Sequence, residues 1–413
     1  MTPRAATILQ AAVLGAALAI RVGFVLALPV GERVVGRLEG LNDEPAHFAY
    51  VRYLAERRTF PVQTGHVAEP GAFERADFEY YQPPLYYVLC APMVAVAGER
   101  AGLTLCRALS LICALLSLVV LARVLALLGL GESARRAGVA FAALLPVHAY
   151  FTSVVSNDGL TWLMALLLTH ELLRRVRMEP PPTTRRAGAA ADLRLGVLLG
   201  AGMLTKSALF VFYPIALLAY ALEERQGGPR RAVQGALIAL AASLLIAGPW
   251  YARNVVLYGS PFALEVGFGP PEPGRWSLLA QAHAAAITVR TFWFPMQHLG
   301  ESPVIDWLRA LGLLLVALHA TAALGYLARR LPLDPPTIVA GALLAAVVAG
   351  HVALNLTWGE SEGRFLLPAL GPLVFLVAAP VFAWAAGRKD GEWRAWAYLV
   401  LLAIHPYLFL AFV

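Results

Sequence analysis

Long apolar runs separated by short basic segments constrain the fold of this chain more than any other feature. A membrane-spanning helix needs roughly twenty apolar residues, and runs of about that length recur from residue 8 to the end of the chain. Hydrophobic residues make up 59% of the 413 positions and charged residues only 14%, with a mean hydropathy of +0.66. Because a soluble core could not bury that much apolar surface, the sequence predicts an all-α, polytopic integral membrane protein.

The run over residues 8–30 resembles a secretory signal at first sight. No small-residue cleavage site follows it, and many further apolar runs do, so we interpret it as the first transmembrane helix.

Paired basic residues predict the orientation of the chain. Clusters at 135–136, 174–177, 329–330 and 388–389 all fall at the same side if about eleven helices cross the membrane and the N-terminus is cytoplasmic. This arrangement predicts two large outer segments, residues 31–102 and 251–303, in a single transmembrane domain over 1–413 without a soluble C-terminal domain. The predicted location is the inner (plasma) membrane, with the active site facing outside.

The apolar stretch 83–97 is too short to cross a bilayer. Counting it as a span would move every later basic cluster outside, so we predict an interfacial helix in the first outer segment. We expect the neighbouring tyrosines to lie at headgroup depth: Tyr80, Tyr81, Tyr86 and Tyr87.

The distribution of charge argues against nucleic-acid binding, and the cysteine pattern argues against a cysteine-ligated metal site or a disulfide framework. The formal charge is +7, but the basic residues are scattered in short clusters between apolar runs, so we expect no nucleic-acid partner. The three cysteines have no metal-ligand spacing and form no disulfide framework.

The first outer segment contains the most specific polar motif, Leu-Asn-Asp-Glu-Pro-Ala-His-Phe at 41–48. A helix beginning at Pro45 would place Asp43, Glu44 and His47 close together. The polar residues before the proline could instead cap that helix.

Other polar groups are predicted to reach the same outer face. Lys206 interrupts an apolar run, and ionisable residues at membrane depth are usually functional, although a lysine can also snorkel to the headgroups. Arg364 has the geometry to bind phosphate or to anchor a helix start. Asp158 could be functional or a helix cap, and Arg21 and Arg107 could each pair with a carboxylate or snorkel.

These groups suggest a group-transfer site. A carboxylate can act as general base on an acceptor hydroxyl, while Lys206 and Arg364 neutralise an anionic leaving group. Asp43, His47 and Asp158 could also hold a divalent ion, for which their oxygen ligands favour magnesium or manganese.

The ordered set of motifs resembles the GT-C superfamily of membrane glycosyltransferases, which use polyprenyl-phosphate-linked sugars. It is similar to the mannosyltransferase and aminoarabinose-transferase type and to related predicted membrane proteins. The motifs that carry the resemblance are Asn-Asp-Glu-Pro-Ala-His-Phe at 42–48, Tyr-Gln-Pro-Pro-Leu-Tyr-Tyr at 81–87, Ser-Asn-Asp at 156–158, Leu-Thr-Lys at 204–206, Pro-Trp-Tyr-Ala-Arg-Asn at 249–254 and Gly-Arg-Phe-Leu-Leu-Pro at 363–368.

The resemblance implies an inverting glycosyltransferase that moves a sugar from a lipid-phosphate donor to an acceptor hydroxyl on a glycan, lipid or protein. Asp43 would be the general base, with Glu44 as the alternative. The implied substrate-binding residues are His47, Tyr86, Asp158, Lys206, Arg253 and Arg364.

A second hypothesis has the same charges hold a lipid-linked saccharide without reaction, in a transporter or a binding subunit. Transporters often contain inverted repeats and paired broken helices near the membrane midplane. The sequence shows neither clearly, and its polar groups cluster on one side, so the enzyme hypothesis is favoured.

Overall fold

The computed structural model describes residues 3–27, 43–66, 76–177, 185–271, 276–294 and 333–405, together with short pieces between 314 and 327 and residue 407. Every regular element among them is helical, which confirms the all-α prediction. The helices are α1 Pro3–Ala27, α2 Glu44–Arg57, α3 Leu85–Ala97, α4 Glu99–Leu127, α5 Glu132–Leu144, α6 Pro146–Phe151, α7 Asp158–Arg177, α8 Arg185–Thr205, α9 Phe212–Gly227, α10 Pro229–Tyr258, α11 Leu264–Phe268, α12 Leu278–Trp293, α13 Pro335–Trp358, α14 Leu370–Ala385 and α15 Gly391–Ile404.

Six helical segments of the described residues are long and apolar enough to cross a membrane. They are Arg4–Ala27, Glu99–Leu127, Ala187–Thr205, Pro229–Tyr258, Pro335–Trp358 and Gly363–Ala385. The chain is therefore an integral membrane protein, but the predicted count of about eleven spans is not confirmed. The predicted span over 304–327 lies largely outside the described residues.

Two apolar runs of the sequence form interrupted helices. The run 137–155 is divided between α5 and α6, because Pro146 has no backbone N–H to continue the hydrogen-bond ladder. The run 207–222 begins as a 3₁₀ helix, Ser207–Val211, before α9. A second 3₁₀ helix, Gly363–Ala369, precedes α14. Both 3₁₀ helices directly adjoin residues of the candidate site.

Helices α8 and α10 form the most extensive helix pair, and α4 packs against α7. The α8–α10 contact depends on small residues: a Cβ at Gly196 would lie 2.4 Å from the carbonyl oxygen of Ala239. Glycine therefore allows the two backbones to approach closely, as is common between membrane helices.

Helix α3 has 13 residues, which fits the prediction of a helix too short to cross the membrane. Tyr86 and Tyr87 are fully buried within the protein, because α3 packs between α2 and α4. Their headgroup depth stays a prediction.

Candidate functional site

Asp43 occupies the N-cap position of α2, directly before Glu44, but its side chain makes no capping hydrogen bond. Its Oδ2 instead accepts a hydrogen bond of 2.6 Å from Nη2 of Arg364. The capping alternative therefore does not describe this carboxylate, which is directed to a charge from a distant part of the chain.

Arg364 connects three acidic residues. Besides Asp43, its Nη1 lies 3.4 Å from Oδ2 of Asp158, and its Nε lies 2.5 Å from Oε2 of Glu362. The guanidinium also stacks over the ring of Phe151 at 4.5 Å. A guanidinium held in this way keeps its fork geometry fixed, which suits bidentate recognition of an oxyanion.

The 3₁₀ helix that carries Arg364 is fastened to α12. The backbone N–H of Gly363 donates to Oγ1 of Thr291 at 2.7 Å. A Cβ at Gly363 would lie 2.5 Å from the carbonyl oxygen of Thr288, so only glycine allows this close approach. The position of Arg364 thus depends on a glycine next to it.

Lys206 lies in extended conformation at the break between α8 and the first 3₁₀ helix. Its Nζ donates to Oδ1 of Asp158 at 2.6 Å, and its side chain is only 13% exposed. Lys206 therefore faces the site instead of snorkelling to the headgroups. Asp158, the first residue of α7, receives both cations, so its carboxylate serves the ion-pair cluster.

Asn157 links three segments beside this cluster. Its Nδ2 donates to Oε1 of Gln82 and to the carbonyl oxygen of Thr205, each at 3.3 Å. The contact joins the end of the first outer segment to the residue before Lys206.

A cavity of about 420 Å³ opens onto the ion pairs. Its polar lining residues are Asp43, His47, Glu79, Asp158, Lys206, Glu360, Glu362 and Arg364, and its apolar lining residues include Phe210, Val211, Phe262, Phe268, Val347, Leu354 and Phe365. The cavity thus offers both charged and apolar contacts to a bound molecule.

Asp43, His47 and Glu79 each offer one ligand atom, and these atoms lie within 4.8 Å of one another. Nδ1 of His47 is hydrogen-bonded to the hydroxyl of Tyr87 at 2.7 Å. Such a contact fixes ring orientation in metal sites. The expected ligand Asp158 is not in this group, which contains Glu79 instead.

Sequence reasoning placed Glu79 in the outer segment without assigning it a role. Its position three residues before Gln82 in the Tyr-Gln-Pro-Pro motif was the only available signal.

Burial and charge divide the carboxyl groups into two classes. Burial alone would raise the pKa of Asp43, but the combined effect of Arg364, His47 and Lys206 outweighs it, and the pKa lies below its usual value. Burial and then the charge of Asp43 raise the pKa of Glu79 to about 8, and burial also raises the pKa of Glu362. Burial lowers the pKa of His47 to about 4. At neutral pH, Asp43 is ionised, Glu79 is mostly protonated and His47 is neutral.

Glu44 does not face the cavity, which contradicts its expected role as the alternative base. Both carboxylate oxygens are bound to Arg107, at 2.6 and 2.8 Å, and Oε1 also accepts from the backbone N–H of Val155 at 2.7 Å. A base needs a free lone pair within reach of the substrate, and here the lone pairs are used inside the protein.

Two further predicted substrate ligands lie outside the cavity. Tyr86 is fully buried, and its hydroxyl is hydrogen-bonded to Oγ of Ser110 at 2.8 Å. Arg253 donates to the carbonyl oxygen of Pro61 at 2.5 Å and stacks over Trp250 at 4.6 Å. Arg253 therefore ties α10 to the first outer segment.

The two outer segments meet beside the cavity through Gln63. Its Nε2 donates to the carbonyl oxygen of Val266 at 2.7 Å, and its Oε1 accepts from the backbone N–H of Tyr81 at 3.0 Å. A Cβ at Gly267 would lie 2.3 Å from the Tyr81 ring. The segments thus form a closely packed cover over one side of the cavity.

The sequence matches no family model and none of the curated proteins with which it was compared. The structure is similar to that of ArnT from Cupriavidus metallidurans bound to undecaprenyl phosphate, with a TM-score of 0.57, 14% identity and coverage of 96% of this chain and 62% of that one. It is also similar to the Archaeoglobus fulgidus oligosaccharyltransferase in the apo form, with a TM-score of 0.54, 17% identity and coverage of 97% and 55%.

A third similar structure is the Archaeoglobus fulgidus oligosaccharyltransferase AglB in complex with an inhibitory peptide and a dolichol-phosphate, with a TM-score of 0.50 and 14% identity. This chain spans between half and two thirds of the length of these proteins. The comparisons confirm the expected resemblance at the level of the fold: the chain shares the polytopic helical fold of ArnT and of the oligosaccharyltransferase.

Proposed function

We propose that this GT-C-fold protein is an inverting glycosyltransferase that takes a sugar from a polyprenyl-phosphate-linked donor and transfers it to an acceptor hydroxyl. We place it in the inner membrane with a cytoplasmic N-terminus and its cavity at the outer face. The donor would approach from the outer leaflet. The proposal rests on residues of this chain, because similarity at 14–17% identity extends only to the fold.

One observation carries the proposal: Arg364 and Lys206 converge on Asp158, and Arg364 also binds Asp43, in a cavity that is lined by apolar side chains as well. Two cations side by side can bind the two non-bridging oxygens of a donor phosphodiester and stabilise the additional charge that develops as the polyprenyl phosphate leaves. The apolar lining suits the first isoprene units of a lipid carrier.

Without substrate, Arg364 and Lys206 are paired with Asp43 and Asp158, and donor binding can release Asp43 from its pair so that it can act as the base. A donor phosphate that enters between Arg364 and Lys206 supplies oxyanions to replace the carboxylates. The carboxylate of Asp43 is then free to accept a hydrogen bond from the acceptor hydroxyl. Replacement of one charge-assisted contact by another keeps the buried cations paired throughout.

The chemical step then balances within these groups. The acceptor oxygen forms a bond to the anomeric carbon as the bond from that carbon to the phosphate oxygen breaks, and the acceptor proton moves to Asp43. The leaving group is the polyprenyl phosphate, whose negative charge Arg364 and Lys206 stabilise. Attack opposite to the leaving group inverts the anomeric centre.

A divalent metal ion fits beside these residues. Asp43, His47 and Glu79 offer two oxygens and one nitrogen, a mixed set that suits manganese or zinc better than magnesium. Such an ion would supply positive charge near the phosphate. The chain's own part is to orient these ligands, through the hydrogen bond between Tyr87 and His47 among others.

The test is release of polyprenyl phosphate from a panel of polyprenyl-phosphate sugars by purified protein in lipid, with a crude acceptor extract. We expect turnover by the wild type and a loss of about 10²- to 10⁴-fold in Asp43→Asn, the range for a missing general base. Glu56→Gln, at an exposed position of the same helix, is the matched control and should turn over normally.

Binding must be measured in parallel. Asp43→Asn should still bind the lipid phosphate, whereas Arg364→Ala should bind it poorly. If the wild type binds lipid-linked sugars but turns over none of them, the transport or binding hypothesis replaces this one.

A further inference from the structure

The buried pair of Glu44 and Arg107 has no part in the mechanism above, although it lies directly behind the site. Glu44 is 2% exposed and Arg107 is also 2% exposed. Their contact is a bidentate one, Oε1 to Nε at 2.8 Å and Oε2 to Nη2 at 2.6 Å. Ionised groups buried to this degree are expensive to desolvate, so their retention calls for a reason other than stability alone.

The pair joins four segments of the chain. Glu44 begins α2, Arg107 belongs to α4, and Arg107 Nη1 donates to the carbonyl oxygen of Val25 in α1 at 3.0 Å. Oε1 of Glu44 also accepts from the backbone N–H of Val155, in the link between α6 and α7, at 2.7 Å.

Two of these segments carry the site aspartates. Asp43 is the neighbour of Glu44, and Asp158 lies three residues after Val155. The Glu44 carboxylate therefore links the backbone next to Asp43 to the backbone near Asp158. Arg364 binds the side chains of both aspartates from the cavity.

We propose that Glu44, charged and locked by Arg107, is a positioning residue that sets the relative placement of Asp43 and Asp158. This inference rests on the proposed function, since it assigns Glu44 a role in the same reaction. It differs from a base role for Glu44 in one decisive respect: a second substitution at Arg107 can restore a positioning contact but cannot restore a missing base.

The experiment compares Glu44→Gln, Arg107→Gln and the double variant. Glu44→Gln leaves the buried charge of Arg107 without its carboxylate, which should let α2 and the 152–157 link move apart and lower kcat about 100-fold, the effect of a misplacement near 1 Å. KM for the donor should change less, because Lys206 and Arg364 remain in place. In the double variant two neutral amides can hydrogen-bond to each other and to Val155, and kcat should recover at least tenfold.

A matched control tests whether any broken buried ion pair has this effect. Asp192 is fully buried and pairs with Arg175 at 2.7 Å and with Arg231 at 2.7 Å, at the end of α7 opposite to Asp158. Asp192→Asn should lower the thermal unfolding midpoint as Glu44→Gln does, yet leave the kcat of the folded fraction unchanged.

Three outcomes would overturn the inference: full kcat in Glu44→Gln, no recovery in a folded double variant, or an equal loss of kcat in Asp192→Asn. If the wild type shows no turnover, the proposed function fails and the same variants are compared by their Kd for undecaprenyl phosphate. Weaker binding in Glu44→Gln that recovers in the double variant would then still support the positioning role, and unchanged binding would end it.

Discussion

Arg364 and Asp43 are separated by 321 residues in the sequence, and their side chains meet at 2.6 Å. The contact joins the first outer segment to the start of the helix pair α14–α15 near the end of the chain. This contact can therefore form only when the two ends of the chain have packed against each other at the cavity.

The fork of Arg364 is expected to be essential, beyond its charge. Arg364→Lys keeps the charge but lacks the planar fork that bridges Asp43 and Asp158 and that can bind two oxygens of a phosphate. We expect Arg364→Lys to lower kcat/KM about as much as Arg364→Ala does. Near wild-type kcat/KM in Arg364→Lys would show that charge alone suffices.

Lys206 is expected to act mainly on the lipid phosphate. Lys206→Met removes one charge-assisted hydrogen bond, worth about 1.5–3 kcal/mol, so the Kd for undecaprenyl phosphate should rise about ten- to hundredfold. Binding to lipid vesicles that contain the phosphate lipid measures this directly. Phe210→Leu, in the apolar lining of the same cavity, is a control in which the phosphate affinity should change far less.

Measurements of Mn²⁺ affinity can distinguish the ligand set with Glu79, which the structure brings together, from the set with Asp158, which the sequence predicts. If Asp43, His47 and Glu79 hold the ion, Glu79→Gln should weaken Mn²⁺ binding, and Tyr87→Phe should weaken it about 10- to 100-fold through the lost hydrogen bond to His47. Asp158→Asn should leave Mn²⁺ affinity nearly unchanged. Calorimetric titration after chelator treatment gives these values, and the reverse order would restore Asp158 to the ligand set.

Gly363 is expected to tolerate no side chain. In Gly363→Ala the new methyl group meets the carbonyl oxygen of Thr288 and the side chain of Phe292, so the 3₁₀ helix must shift, at a cost of about 1–3 kcal/mol. The thermal midpoint and kcat should both fall. Gly341→Ala on α13, where nothing lies within 4 Å of the added Cβ, should change neither.

The polar motifs predicted much of the site. One cavity is lined by Asp43, Asp158, Lys206 and Arg364. Each of these ionisable groups lies close to an apolar run, where it is costly to keep. That cost can be recognised in the sequence, so these four residues could be singled out in advance. Similarly, the apolar runs predicted an all-helical membrane protein.

Pairing was not predictable from the same signals. Nothing in a single sequence indicates that Glu44 would face Arg107, 63 residues away, while its neighbour Asp43 faces the cavity. Adjacent residues at a helix start point in different directions, and only the packed bundle decides which one reaches substrate. Glu79 was overlooked for the same reason, because its role depends on where α3 lies relative to α2.

Helix α7 begins at Asp158 and ends beside Arg175, which is held by Asp192 and Glu223. Its 20 residues span about 30 Å, close to the thickness of a hydrocarbon core. Ion pairs clamp this nearly fully buried rod at both ends, so it has little freedom to slide or tilt. Under the proposed function, α7 is therefore a fixed support for the site, and a transport mechanism that rocks α7 would have to break the ion pairs at both of its ends.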